Sequence, residues 1–442
     1  MINENKNFGH YLQRLNISKL NEMQEQVIAS ADENKQHVIV APTGSGKTVA
    51  FLLPIVQLLD AKDKNVQAVI LVPSRELALQ IEDVAKKMQI GFKILACYGG
   101  HKREIEENSL VEAPAIIIGT AGRMADHIRR GNVNLSSTKV LVIDEYDKML
   151  ELGFLEEMAY ILQHLKQVET RMLTSATTVN ELPEFVGMTD PITLNFLEEN
   201  AIEADVMRIH SVFSDNPDKL EALKHLICYA RDTSSIIFAN HRDAVERISN
   251  YLKEEGIINV FYHGGMEQRD REVSLTKFRN GTSNILVTTD LASRGLDIDN
   301  IRNIIHYHLP LEESSFTHRN GRTARKGNTG NVYAIYGKGE TLPKFIVDVA
   351  EKFELEENNS LPEKPKWSTL FINAGKKDKI SKGDIVGFLS QKGDLRQEEL
   401  GLIEVKDHIA FAAVRKSKIG DTIENIKDEK LKGRSIKIAI AK

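Results

Sequence analysis

Five apolar runs punctuate the first half of the chain: HVIVA (37–41), AVILVP (68–73), PAIIIGT (114–120), KVLVID (139–144) and MLTSAT (172–177). Each is nearly continuous in Val, Ile and Leu, and each is separated from the next by amphipathic or loop sequence. That combination predicts parallel strands in an α/β sheet covered on both faces. The rhythm then restarts with SSIIFAN (234–240), INVFYHG (258–264), NILVTTD (284–290), NIIHYHLP (303–310) and GNVYAIY (330–336). Two similar α/β lobes, residues 1–205 and 206–350, are therefore expected.

The pattern changes at EKFELEENNSLPEKPK (351–366), which is acidic, carries two prolines and has few apolar residues. It reads as a linker that begins as the frayed end of a helix. Residues 367–442 then form a compact unit. TLFINAG, GLIEVKDHIAFAAV and SIKIAIA have strand patterns, and SKGDIVGFLSQ and KSKIGDTIENIKDE have helical ones. The order βαββαβ is a split βαβ domain, the plan shared by RNA recognition modules.

Composition refines this picture in three ways. No run approaches the ~18 apolar residues of a membrane span, and the N-terminus lacks the apolar core of a secretory signal. Cys97 and Cys228 are the only cysteines, which excludes a cysteine zinc cluster and leaves a reducing cytoplasm as the expected home. The formal charge of −5 hides an asymmetry: from Trp367 onward 16 Lys/Arg face 11 Asp/Glu, so a +5 tail follows a −10 body. A basic tail on an acidic body suggests that the tail holds a polyanion, although a merely solvated surface would read the same way.

Chemistry concentrates at strand ends. APTGSGKT, residues Ala41, Pro42, Thr43, Gly44, Ser45, Gly46, Lys47 and Thr48, follows one predicted strand and opens a helical run. Glycines there let backbone N–H groups approach phosphate oxygens at the positive end of a helix. Lys47 would reach the β/γ-phosphates and the Thr48 hydroxyl would ligate Mg²⁺. KVLVID ends in Asp144-Glu145-Tyr146-Asp147, at the sheet edge where ligands bind in open α/β sheets. Asp144 is the second candidate for Mg²⁺ and Glu145 the candidate for polarising the attacking water.

These elements, with PSRELA (73–78), Gly99-Gly100, TAGR (120–123), SAT (175–177), HGGMEQRDR (263–271), TTDLASRGLDI (288–298) and HRNGRTARKG (318–327), resemble in order the motifs of the DEAD-box RNA helicases. The resemblance spans roughly residues 10–340 and implies two tandem RecA-like lobes, ATP and Mg²⁺ as cofactors, and RNA-dependent hydrolysis of ATP to ADP and phosphate. It makes Gln24 the adenine reader and Asp297 a contact to the ATP ribose. It makes Arg322 and Arg325 arginine fingers, each worth ~10³–10⁵ in rate in such enzymes. Ser175 and Thr177 join the catalytic set through their coupling to Asp147. Implied RNA contacts are Arg75, Gly99, Gly100, Thr120 and Arg123 in the first lobe, and Gly264, Gln268, Arg271 and Thr289 in the second. The chain departs from the family at Tyr146 and Ala324, where alanine and glycine are usual, and at Ala121, where proline is.

The tail resembles the RNA-binding domain of the DbpA-type helicases, relatives that act on a ribosomal RNA hairpin in large-subunit assembly. Lys376, Lys377, Arg415 and Lys416 are its leading RNA candidates, with Lys379, Lys382, Lys418, Lys432 and Arg434 beside them. Phe371 and Phe411 fit a base-stacking pair and fit a core equally well. The expectation is a cytoplasmic, monomeric helicase that remodels ribosomal RNA. An ATP-gated RNA clamp with little unwinding, suggested by Tyr146, and a DNA helicase are the competing readings.

Overall fold

The computed structural model describes residues 8–100, 103–179, 181–197, 207–290, 298, 301–324, 328–357 and 360–441. The chain divides near residue 202 into two compact units. Among the described residues no helix is long and apolar enough to cross a membrane.

The first unit is built on seven strands: β1 (Gln36–Val40), β2 (Ala68–Val72), β3 (Ile94–Cys97), β4 (Ile116–Thr120), β5 (Val140–Ile143), β6 (Thr170–Ser175) and β7 (Ile192–Asn195). They lie in the order β3-β4-β2-β5-β6-β1-β7, and every pairing is parallel. Alternate residues of the same strand enter opposite cores. Ile70 and Val72 pack with Phe51, Leu77 and Ile81 on one face, while Val69 and Leu71 pack with Met124, Met149 and Met158 on the other. Two-sided burial explains why these strands read as unbroken apolar runs. The sequence patterns missed β3 and β7, whose residues are partly exposed at the two sheet edges.

The second unit opens with an equivalent sheet of β8 (Met207–Ser214), β9 (Ser235–Phe238), β10 (Val260–Tyr262), β11 (Ile285–Thr288), β12 (Asn303–His306), β13 (Gly330–Gly337) and β14 (Glu351–Phe353). The order β10-β11-β9-β12-β13-β8-β14 repeats that of the first sheet when each is counted from its own first strand. Both lobes are RecA-like. The segment read as a linker with a helical start begins instead as β14, pairing parallel with β8. Phe353 decides this, because its ring meets Tyr229 and Tyr333 edge-on at 5.1 and 5.7 Å.

The tail forms a four-stranded antiparallel sheet of β15 (Trp367–Ile372), β16 (Leu400–Val405), β17 (Ala410–Arg415) and β20 (Ile438–Ile440), in the order β16-β17-β15-β20. A small hairpin of β18 (Lys430–Leu431) and β19 (Arg434–Ser435) precedes the last strand. Leu370, Ile372, Ala412 and Val414 face the helices Lys382–Gln391 and Ile419–Ile426. The period of two along a strand turns Phe371 and Phe411 to the opposite face, where they sit directly opposite each other.

That opposite face is closed. Phe371 and Phe411 contact Val273, on the second lobe's Gln268–Arg279 helix, and Phe411 is fully buried. The Arg269 guanidinium lies 4.8 Å above the Phe371 ring. Asn280 donates to the Thr369 hydroxyl at 2.8 Å, and Lys406 meets Glu272 at 3.5 Å. The two rings are therefore packing residues, which settles the choice left open by the sequence. Phe411→Ala should lower the unfolding free energy of the tail by about 3–5 kcal/mol. Its denaturation midpoint checks this, and Phe411→Leu should restore most of the loss.

Candidate nucleotide and RNA site

The phosphate loop turns between β1 and the Lys47–Leu58 helix. Gly46, at φ +93°, occupies the helix N-cap, and a Cβ there would fall 2.5 Å from the Gln24 amide nitrogen. Glycine is thus required both by backbone and by space. Gln24 does three jobs at once. Its oxygen accepts from Asn21 N at 3.0 Å, its backbone donates to Asn21 Oδ1 at 2.9 Å, and its amide nitrogen donates to Gly46 O at 3.2 Å. Asn21 adds a bond to Ser45 O at 2.8 Å, so the helix cap and the loop brace each other. The Lys47 ammonium is folded onto the Ala41 and Pro42 carbonyls at 2.6 and 3.0 Å.

Asp144 emerges one residue beyond β5, 3 % exposed. Burial raises its proton affinity, opposed by a hydrogen bond from the Thr174 hydroxyl and by the Lys47 charge. Thr174 Oγ1 donates to Asp144 and accepts from Glu145 N at 3.1 Å, so it fixes both acids. A desolvated carboxylate held this way fits a divalent cation, with Thr48 one residue beyond the loop lysine as the other ligand. Sequence reasoning missed Thr174; its only signal is a polar residue at the buried end of an apolar strand.

Glu145 adopts a left-handed backbone, φ +51°, at the N-cap of the Tyr146–Glu151 helix. That conformation is sparsely populated by non-glycine residues and recurs at functional sites. Tyr146 packs in the core beside Met149 and Ile143 with its hydroxyl unpaired. Asp147 nonetheless reaches Thr177 Oγ1 at 3.4 Å, and Thr177 N donates to Ser175 Oγ at 3.1 Å. The structure thus links Ser175 and Thr177 to Asp147, in the acidic turn that follows β5.

First-lobe RNA candidates gather at the carboxyl ends of β2, β3 and β4. Arg75 follows the Ser74 N-cap and lies 4.5 Å over the Tyr98 ring. Arg123 Nε donates to Tyr98 O at 3.0 Å, Gly99 and Gly100 follow directly, and Thr120 is the N-cap residue of the helix that carries Arg123. In the second lobe, Gly264 is exposed after β10, Gln268 Nε2 donates to Glu272 at 2.9 Å on the helix that also carries Arg271, and Thr289 follows β11.

Arg322 is 3 % exposed, on the turn after the Glu313–Asn320 helix. Arg325 and Asp297 lie outside the described residues. A residue the sequence reading passed over, Arg319, organises this corner. It bonds Asp290 at 2.5 and 2.9 Å, His308 O at 2.9 Å and Asn240 Oδ1 at 2.8 Å. Burial and the Arg319 charge hold His306 down at about 3, so that imidazole stays neutral. Ala324 has φ +54°, a left-handed conformation that explains why glycine is usual in the resembling motif.

The tail candidates do not converge. Lys376 and Lys377 form a turn beyond the Ile372 end of β15, whereas Arg415 pairs with Trp367 at the other end and stacks on its ring at 4.4 Å. Lys416 follows Arg415. Lys376, Lys379 and Lys382 line one groove with Ser381, Ile403 and Val405.

A phosphate loop and a strand-end acid pair on one RecA-like sheet, joined in one chain to a second such sheet and a recognition-type domain, define a nucleotide-driven helicase. The chain belongs to the DEAD-box family of ATP-dependent RNA helicases. Residues 21–185 match the DEAD/DEAH box helicase model, 218–327 the helicase conserved C-terminal domain and 369–440 the DbpA RNA binding domain. It is 31% identical to the ATP-dependent RNA helicase DbpA of Bacillus subtilis over 97% of this chain and 96% of that one. Identity is also 31% to the Escherichia coli protein of the same name, over 91% and 90%. Among solved structures, Mss116p bound to single-stranded RNA and AMP-PNP is similar with a TM-score of 0.70 and 26% identity, covering 79% of this chain and 77% of that one. The protein is accordingly an RNA-dependent ATPase that binds ATP and RNA.

Ala324→Gly should relieve the left-handed alanine and raise stability by about 1 kcal/mol. The second lobe's melting temperature checks this, and a fall on substitution would contradict the strain.

Proposed function

We propose that this helicase remodels structured ribosomal RNA during assembly of the large ribosomal subunit, as a cytoplasmic monomer. The observation that carries the reading is the tail, whose match to a DbpA RNA binding domain sits on a chain aligned almost end to end with DbpA proteins. The groove bearing Lys376, Lys379 and Lys382 offers phosphate and shape recognition in place of base stacking. Because the tail rests on the helix carrying Gln268 and Arg271, RNA held by the tail is delivered beside the second lobe's own RNA contacts.

In the first lobe Gln24 reads adenine and braces the loop, Lys47 leaves its carbonyl partners for the β/γ-phosphates, and the loop amides bind their oxygens. Mg²⁺ held by Thr48 and Asp144 would screen the phosphate charge. Glu145 orients the attacking water, and Ser175, Thr177 and Asp147 transmit the state of that corner. Arg322 and Arg325 supply positive charge for the leaving γ-phosphate, and Asp297 holds the ribose. Tyr146, the support for a clamp without unwinding, is a core side chain that leaves the Asp147–Thr177 link in place, which favours the helicase reading.

Glu145→Gln should retain ATP and RNA binding while turnover falls by ~10²-fold or more. Steady-state phosphate release checks this; near-normal turnover refutes the assignment. Removing residues 367–442 should leave ATPase activity stimulated by generic RNA but abolish preference for ribosomal RNA. An unchanged preference in competition with unrelated RNA of equal length would move specificity into the lobes.

A further inference from the structure

Cys97, Glu106 and His127 come together behind the first lobe's RNA edge, all buried, with one ligand-type atom of each within 4.8 Å of the others. Such a triad suggests a metal, but its hydrogen bonds argue otherwise. Asn132 Nδ2 lies 3.1 Å from Glu107 Oε1 and 3.2 Å from His127 Nδ1. An amide nitrogen only donates, so Nδ1 accepts and the imidazole proton sits on Nε2. That proton points at Glu106 Oε2, 2.6 Å away. The histidine is a donor to the carboxylate, and its two nitrogens are both engaged. Cys97 is held as the thiol, its ionisation opposed by burial and by the Glu106 charge.

What the cluster does is read from the rest of the Glu106 carboxylate. Oε1 accepts from Tyr98 N at 2.8 Å, and Oε2 faces Arg123 Nε at 3.4 Å. Tyr98 in turn accepts from Arg123 through its carbonyl at 3.0 Å and supports Arg75 on its ring at 4.5 Å. One buried carboxylate therefore fixes the residue on which both cations rest. We propose that Glu106, locked by His127, is a positioning residue that holds Arg75 and Arg123 in the geometry that grips RNA phosphates. The inference rests on the assignment of those two arginines to RNA.

The test is made on the full chain, with single-stranded oligouridylate binding followed by fluorescence anisotropy in AMP-PNP across a salt series. Replacing a carboxylate near RNA by an amide removes a repelling charge, so electrostatics alone predicts tighter binding by Glu106→Gln. Positioning predicts the opposite sign: about tenfold weaker binding from the loss of a charge-assisted bond. The salt slope should become shallower by about 0.7 for each phosphate no longer gripped. ATP affinity without RNA should be unchanged, which a general collapse of the lobe would not allow. His127→Leu, which keeps the volume but removes the donor, should weaken RNA binding in the same sense and to a smaller degree.

Unchanged or tighter binding by Glu106→Gln with Arg123→Ala impaired would overturn the positioning role alone. If Arg123→Ala is also without effect, the RNA assignment of this edge falls with it. Stoichiometric zinc in the purified protein, absent from Glu106→Gln, would also overturn the proposal.

Discussion

A buried lysine and a buried aspartate set the terms for the candidate ATP site. Lys47 and Asp144 emerge beside adjacent parts of one parallel sheet, desolvated, each satisfied by groups that a nucleotide can replace or supplement. Taking such charges out of water is costly unless partners are close. The apolar strands β1, β2, β5 and β6 provide the rigid edge that keeps those partners in place: Ala41 N bonds Ser175 O at 3.0 Å, and Asp144 N bonds Leu71 O at 2.9 Å. Phosphoryl transfer asks mainly for positioned charge, so the same constraint that costs the free protein stability prepares it for ATP.

The second lobe solves a similar problem with a different pair. Arg319 is 1 % exposed, and its guanidinium is shared among Asp290, Asn240 and His308, which come from the ends of β11, β9 and β12. This ties the turn bearing Arg322 to the segment bearing Thr289. Two of the eight non-glycine residues with positive φ among the described residues fall in these corners, Glu145 among the acids and Ala324 beside Arg322. Both residues sit where side-chain direction matters more than local comfort.

Much of this was legible in the sequence because the physics is local. Continuous Val-Ile-Leu runs announce strands buried on both faces, and a glycine-rich turn before a helix announces an anion site. Edge strands were harder: β3 and β7 are half exposed, and β14 hides in acidic sequence because only Phe353 needs burial. Positioning residues were hardest. Thr174, Arg319, Glu106 and His127 act through hydrogen bonds to residues 5 to 79 positions away, most of which no spacing rule reveals. The roles of Phe371 and Phe411 turned on Val273, 98 and 138 residues earlier in sequence and decisive only after folding.

These arrangements lead to coupling: the residues proposed for ATP and for RNA extend from one parallel sheet in the first lobe and are tied through Arg319 in the second, so each ligand should favour the other. Linkage then requires reciprocity. The direct measurement is the dissociation constant of single-stranded RNA with AMP-PNP and with ADP, set beside that of AMP-PNP with and without RNA. Coupling predicts that AMP-PNP tightens RNA binding relative to free protein while ADP does not, and that RNA tightens AMP-PNP binding by the same factor. RNA affinity that is indifferent to the nucleotide would contradict it.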